Sequence, residues 1–155
     1  MFEKEKHTIV LDEKFGEFIN EHHVLTLATQ AEGQPYCCNC FYVYDNQKNI
    51  FIVKTKLDTR HAQEMLKEKR IAGSVVLETE QVGKIQGLQF TALADFPDGE
   101  ELQSAKKTYL KKFPYAALEF GEYVILNLQM LKLTDNRLGF GKKLIWDINT
   151  TKQSE

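Results

Sequence analysis

Residues 54–61, which read Lys-Thr-Lys-Leu-Asp-Thr-Arg-His, have the residue types and order of an anion-binding turn. They join an apolar, strand-like run to the first turn of a predicted helix, where free N–H groups and the macrodipole attract anions. Cations such as Arg60 and His61 are unfavourable there unless an anion is bound, and arginine can hold phosphate through two parallel hydrogen bonds. The segment therefore predicts a phosphate site. The alternative is a surface Arg60 paired with Asp58 or Glu64.

The three cysteines, Cys37, Cys38 and Cys40, lie close together on one predicted strand. Strand alternation puts Cys38 and Cys40 on one face and Cys37 on the other. Three thiolates from one short strand cannot surround a zinc ion, and recruitment of His22 or His23 would be needed to complete a site. We therefore predict buried or half-buried thiols and no metal site. So few cysteines form no disulfide framework, which indicates a reducing cytoplasm.

A basic patch is predicted on the helix that follows Pro97-Asp98-Gly99. It carries Lys106, Lys107, Lys111 and Lys112 together with Tyr109 and Phe113. Such a patch could contact nucleic acid as an interaction module. A solvated helix face is favoured instead, because the formal net charge of the chain is -2.

Short strands and two inserted helices must position these groups. Apolar spacing predicts a helix over 11–19, and Asp58 is the predicted N-cap of a helix over 59–69. The turn 32–35 separates the first two strands. The predicted strands are 24–29, 36–44, 50–53, 71–78 and 84–96, one starting near Tyr123, and a short one at 144–146; the lysine-rich helix covers 100–112. About six short strands without long crossovers favour a small antiparallel barrel, so the fold class is mainly β or α+β.

Composition is that of an ordinary globular protein, with 43% hydrophobic and 27% charged residues in a chain of 155. This length predicts a single domain over 1–155. No apolar h-region follows the first residues, and no apolar run is long enough to span a bilayer. We therefore expect a cytoplasmic protein without a membrane partner.

Several stretches resemble the opening half of the FMN-binding split-barrel family of pyridoxamine 5'-phosphate oxidase. They are 25–29 (Leu-Thr-Leu-Ala-Thr), 33–36 (Gly-Gln-Pro-Tyr), 50–53 (Ile-Phe-Ile-Val) and 59–61 (Thr-Arg-His). The YhbP-like branch of that family is more similar still, in 59–63, 85–90, 113–114 and the specific run 133–146. This resemblance spans nearly the whole chain. It implies a six-stranded antiparallel split barrel with flanking helices, a homodimer, and FMN sites at the subunit interface.

The resemblance also implies which residues hold the cofactor. Asp58-Thr59-Arg60 falls on the phosphate-binding triplet of the family, with Arg60 at its lysine, and His61 adds a further phosphate contact. Lys54 and Thr55 fall on strand-end positions near the ribityl chain or phosphate. The flavin ring would lie against the second and third strands near two residues, Asn39 and Phe41.

Two departures argue against oxidation of pyridoxamine phosphate itself. The oxidase has a phosphate-binding arginine on its second strand, where this chain has cysteines, and it has substrate-binding Arg and His residues near its C-terminus. Here Arg137 is present, but no histidine follows His61.

Residues 139–143, Gly-Phe-Gly-Lys-Lys, do not form a phosphate loop, because that motif needs a longer glycine spacing and a Ser or Thr after the lysine. They predict a tight turn that places Lys142 and Trp146 near the barrel mouth. Trp146 either stacks near the flavin of the partner subunit or fills the core or interface.

Two functions remain open. The first is an FMN-dependent oxidoreductase or flavin reductase whose small-molecule substrate is unknown; the flavin would do the hydride chemistry, so no side-chain catalytic constellation is needed. The second is a non-enzymatic binding protein for flavin or another phosphorylated ligand.

Overall fold

A computed structural model describes residues 11–150 of the chain. Its three α-helices are α1 (Glu13–Glu21), α2 (Arg60–Lys67) and α3 (Gly99–Lys112). Its seven strands are β1 (Val24–Ala31), β2 (Gln34–Asp45), β3 (Ile50–Thr55), β4 (Arg70–Leu77), β5 (Gln86–Asp95), β6 (Glu122–Asp135) and β7 (Lys143–Asp147). The domain prediction also covered 1–10 and 151–155, which lie outside the described residues.

The strands form one antiparallel sheet in the order β3-β2-β1-β4-β5-β6-β7, and β3 also pairs with β6. That pairing closes β1 to β6 into a six-stranded barrel, while β7 extends the sheet beside β6. The mainly β, split-barrel prediction is therefore confirmed. The register shifts between Thr91 and Ala92 of β5 because Gln129 of β6 has no partner there, and such a bulge bends β6. It lets the long β6 pair with β5 along ten residues while also reaching β3.

The hydrophobic core lies on both faces of β3, which explains its continuous apolar run. Phe51 and Val53 point into the barrel, and Ile50 and Ile52 point outwards against α3. A strand covered on both faces needs apolar residues at every position. At one end of the barrel, α1 buries Phe15, Phe18 and Ile19, and the hydroxyl of Tyr42 donates to the Ile19 carbonyl at 2.6 Å.

The first hairpin turn is shorter than predicted. The first hairpin turn contains only Glu32 and Gly33, whose φ angles are 53° and 75°. Positive φ at both central residues suits the right-handed twist of the two strands, so Gln34 and Pro35 belong to β2 rather than to the turn.

Among the described residues, no helix is both long and apolar enough to cross a membrane.

The predicted N-cap Asp58 is wrong, because Thr59 caps α2. The backbone of Thr59 is extended (φ -72°, ψ 152°), and its Oγ1 accepts a hydrogen bond from the N–H of Ala62. Residues before Thr59 form a turn in which the Thr59 N–H and hydroxyl both donate to the Lys56 carbonyl. The helix therefore starts one residue later than the sequence predicted.

Candidate functional site

A cleft of about 320 Å³ opens at the end of β3, beside the middle of β2, α3 and the 3₁₀ turn Pro114–Leu118. Its lining combines cations, hydroxyl groups and aromatic rings: Asn39, Cys40, Phe41, Lys54, Thr55, Lys56, His61, Tyr109, Tyr115, Ala116, Glu119 and Phe120. The volume lies at the lower end of the range for small-molecule sites. Of the nine predicted cofactor residues, five line this cleft: Asn39, Phe41, Lys54, Thr55 and His61.

A cluster of two hydroxyl groups and one imidazole lies where β3 meets α2. The Nε2 of His61 is 2.5 Å from the Oγ1 of Thr55 and 3.3 Å from that of Thr59. Burial lowers the pKa of His61, so its ring is neutral near pH 7. Thr59 therefore contacts the cluster that lines the cleft, although it does not itself belong to the lining.

The N-terminus of α2 supplies further donors. The Thr59 hydroxyl and carbonyl accept from the N–H groups of Ala62 and Gln63. The N–H groups of Arg60 and His61 have no acceptor among the described residues. Because no acidic side chain lies in the first turn, the helix dipole is not offset there, and this end of the helix can bind an anion.

The ammonium of Lys54 is hydrogen-bonded to the segment that forms one wall of the cleft. Its Nζ donates to the carbonyl oxygens of Ala116 and Glu119, both at 2.6 Å, and lies 5.2 Å from the centre of the Tyr123 ring. These bonds join β3 to the 3₁₀ turn 62 and 65 residues later in the chain. Lys54 therefore holds the cleft together, a role that the sequence did not indicate.

Arg60 lies beside the cleft and not on its lining. Its Nε donates to the Glu64 carboxylate at 3.1 Å, and its guanidinium lies 4.2 Å from the centre of the Tyr36 ring. Glu64 also accepts from the buried Thr29 hydroxyl at 2.6 Å. That bond, with the Arg60 contact, lowers the pKa of Glu64. The alternative interpretation of Arg60 was a surface ion pair with Asp58 or Glu64, and the structure shows the pair with Glu64.

Asn39 and Phe41 lie on the outward face of β2. The ring of Phe41 is 51% exposed and packs against Phe113 with centroids 5.6 Å apart. Asn39 Oδ1 accepts from the Thr26 hydroxyl at 3.0 Å. Phe41 thus offers a partly covered aromatic face to the cleft.

The structure does not bring Lys142 or Trp146 to this cleft within the chain. Trp146 lies on β7, pairs with Leu131 of β6, and is buried in the barrel core. Lys142 lies in the turn that Gly139 and Gly141 form with positive φ angles. The tight turn is as predicted, and of the two interpretations of Trp146 the structure shows the core one.

Most of the aromatic wall of the cleft differs from the sequence-based prediction. The lysine-rich helix predicts Tyr109 and Phe113 in a basic patch, yet both side chains are buried between α3 and the barrel. Tyr115 and Phe120 are exposed on the same wall, Phe120 to 94%. The only sequence feature that points to these rings is the high density of aromatic residues around Pro114. That density does not by itself indicate which of the rings face a ligand.

The cysteines alternate as predicted, with Cys38 half-buried and Cys40 buried, but Cys37 is exposed, so the prediction of buried or half-buried thiols is wrong for that residue. The Sγ atoms of Cys38 and Cys40 are 3.9 Å apart. The contact with Cys38, together with burial, raises the pKa of the Cys40 thiol. Cys38 and Cys40 also approach a ring nitrogen of His61, and all three ligand atoms lie within 4.8 Å of one another. The sequence-based prediction named His22 and His23 as the candidate histidine ligands. His61 lies more than 20 residues after Cys38 and Cys40 in the chain, and only the fold brings it to them.

The closed six-stranded barrel with its flanking helices makes this chain a split-barrel protein. A solved heme-binding protein from Mycobacterium smegmatis has this fold with a TM-score of 0.75 at 17% identity, over 90% of this chain and 60% of that one. A FAD-binding protein from Mesorhizobium loti is similar with a TM-score of 0.65 at 12% identity, over 80% and 92% of the two chains. These likenesses show the fold alone.

A curated relative shows the family. The UPF0306 protein YhbP of Escherichia fergusonii is 40% identical over 129 residues, which cover 83% of this chain and 88% of the relative. This chain therefore belongs to the UPF0306 (YhbP) family. No family model matches the sequence.

Proposed function

We propose that this protein binds FMN in the cleft and is an FMN-dependent oxidoreductase or flavin reductase. The observation that carries the proposal is the cluster of Thr55, Thr59 and His61 at the N-terminus of α2, beside an aromatic wall. The solved split-barrel proteins named above are described as binding FAD or heme. They support a planar, aromatic cofactor in this fold.

The donors of the cleft fit a phosphate group. Thr55, Thr59 and His61 offer hydrogen bonds, the first N–H groups of α2 point the same way, and the exposed ammonium of Lys56 adds charge. Arg60 would assist only after leaving Glu64, since its Nε is bonded there. We therefore assign the primary anchor to the threonine–histidine cluster and Lys56.

The aromatic wall fits a flat ring system. Phe41, Tyr115 and Phe120 line the cleft with exposed rings, and the buried Tyr109 lines it as well. Aromatic faces stack with a flat ring at little entropic cost. When bound, a flavin supplies hydride-transfer chemistry, and the residues of this chain bind and orient it.

The predicted homodimer stays a prediction. Two large apolar side chains beside the cleft, Leu118 and Phe120, are 90% and 94% exposed in the single chain. Adjacent exposed apolar residues of this kind are typical of a surface that a partner covers. A second copy would complete the open side of the cleft, in agreement with interface sites for the cofactor.

The test compares FMN with riboflavin, which has the same ring but no phosphate. We expect the apo-protein to bind FMN about tenfold or more tightly than riboflavin, because a charge-assisted contact contributes about 1.5–3 kcal/mol. Lys56→Met should weaken FMN binding and leave riboflavin unchanged, while Arg60→Ala should have the smaller effect. Flavin fluorescence quenching measures each affinity.

Each outcome has a meaning. Equal affinities for FMN and riboflavin would remove the phosphate anchor, and binding of neither would remove flavin from the function. For the loaded protein, anaerobic reduction by NADH or NADPH faster than that of free FMN identifies the oxidoreductase. Tight binding without reduction by either donor identifies the second candidate, a binding protein.

A further inference from the structure

Cys38 and Cys40 of β2 and His61 of α2 converge at one end of the barrel, where all three ligand atoms lie within 4.8 Å of one another. Strand alternation points both thiols to the inner face of β2, and the N-terminal turn of α2 brings the imidazole to them. The convergence joins two elements that are separated by more than 20 residues of sequence. It is therefore produced by the tertiary fold and not by local sequence.

The thiol spacing matches the geometry of a metal ion with tetrahedral coordination. With Zn–S bonds of about 2.3 Å, two thiolates at the tetrahedral angle lie about 3.8 Å apart. The observed distance between the Sγ atoms of Cys38 and Cys40 is 3.9 Å. A histidine nitrogen at about 2.0 Å from the same ion would lie about 3.5 Å from each sulfur. The ligand nitrogen of His61 lies within 4.8 Å of both sulfurs, so it reaches the bonding distance by moving at most about 1.3 Å closer.

The imidazole is already oriented by two hydroxyl groups. In the tautomer protonated at Nε2, His61 donates to the Oγ1 of Thr55, which lies 2.5 Å away, and the lone pair of Nδ1 remains free. Metal-binding histidines normally donate their second N–H to such a partner, which fixes the ring and raises its basicity. Thr55 therefore occupies the position of the residue that accepts the second N–H of a metal-binding histidine.

We propose that Cys38, Cys40 and His61 bind one zinc ion, with the fourth coordination position open towards the cleft. Both Cys40 and His61 line that cleft, so a water molecule or a small ligand can reach the ion from there. Two thiolates balance the charge of Zn²⁺, and a set of two cysteines and one histidine with an open position is a known form of accessible zinc site. The site goes beyond the proposed function and does not depend on bound flavin.

The experiment uses the flavin-free, chelator-treated full chain under a phosphine reductant. It is titrated with CoCl₂ as a spectroscopic probe and then with ZnCl₂ against a chromophoric chelator. We expect one equivalent of cobalt per chain, a thiolate-to-cobalt charge-transfer band, and loss of that band when zinc is added. Because loss of a supporting residue alone costs about 10–100-fold in affinity, Cys38→Ser should weaken zinc binding by at least about a hundredfold.

The matched control is Cys37→Ser, which changes a thiol on the same strand that is exposed on the opposite face. It should bind zinc as the unchanged chain does. His61→Asn should lose affinity as Cys38→Ser does, and circular dichroism checks that each variant is folded. Cys38 is only half-buried, so its serine variant tests the site even if Cys40→Ser is unstable.

Three results would overturn the zinc site. They are the absence of a thiolate charge-transfer band, unchanged zinc affinity in a folded Cys38→Ser variant, and an equal loss of affinity in Cys37→Ser. Because no flavin is present, none of these results bears on FMN binding, and a failure of FMN binding leaves the zinc measurement intact.

Discussion

Replacing Lys54 with methionine tests whether this lysine holds the wall of the cleft. Methionine keeps an apolar stem of similar length but loses both hydrogen bonds from Nζ to the carbonyl oxygens of Ala116 and Glu119. A hydrogen bond from a charged donor contributes about 1.5–3 kcal/mol when buried. Lys54 is half-exposed, and water replaces part of that energy. We therefore expect a total loss of about 2 kcal/mol, that is, about 1 kcal/mol for each bond.

This loss should be local, because the barrel core does not depend on Lys54. The N–H groups of Ala116 and Glu119 bond within the segment itself, to the carbonyls of Phe113 and Ala116. Their exchange with solvent follows the opening of the 3₁₀ turn Pro114–Leu118. A loss of about 2 kcal/mol raises the opening constant about thirtyfold. Hydrogen exchange read by mass spectrometry over residues 113–121 measures it.

Lys56→Met is the matched control for this measurement. Lys56 also lines the cleft, two residues further along, but takes no part in the bonds to the turn. Its exchange rates over 113–121 should equal those of the unchanged chain. If Lys54→Met exchanges no faster than this control, Lys54 does not hold the wall, and its ammonium is free for another role, such as contact with an anion.

Two further predictions concern the barrel and its pH dependence. Gly73→Ala should lower the free energy of unfolding by about 2 kcal/mol, because the added Cβ would overlap the Phe90 ring. The control in urea denaturation is Gly83→Ala, whose added Cβ meets nothing within 4 Å. Equal denaturation midpoints for the two variants would contradict the close packing at Gly73. The Arg137 guanidinium beside Asp135 holds the pKa of that carboxyl below its ordinary value. Its contribution to stability is present above about pH 4 and is lost as the pH falls below it. The stability difference between the unchanged chain and Asp135→Asn should therefore shrink on acidification, and a difference that grows would contradict the pairing.

Much of the fold could be predicted from local patterns. The alternating strands and the apolar stripes of the helices place nearly every element within a few residues. The apolar run 50–53 predicted the third strand, and the structure shows that its residues are buried on both faces of β3. Closure of the barrel by the pairing of β3 with β6 could not be derived in this way, since it joins segments about 70 residues apart and depends on a bulge in β6.

The site was predicted less completely, for a physical reason. The strand–turn–helix of residues 54–61 is local, and the sequence located it. The N-cap moved from Asp58 to Thr59 because either side chain can accept a backbone hydrogen bond, and the turn geometry decides between them. The ion pair of Arg60 with Glu64 and the bonds of Lys54 depend on which competing partner comes within reach. Residue type alone does not settle that competition.

His61 is the residue at which the two proposed sites meet, and its two ring nitrogens separate them. Nε2 faces the hydroxyls of Thr55 and Thr59, where the proposed phosphate would bind, and Nδ1 is the nitrogen with which His61 would join Cys38 and Cys40 in the proposed zinc site. A phosphate that accepted the proton of Nε2 would keep the ring in the tautomer that a metal requires. The two ligands therefore make compatible demands on one imidazole, and occupation of one site does not by itself exclude the other.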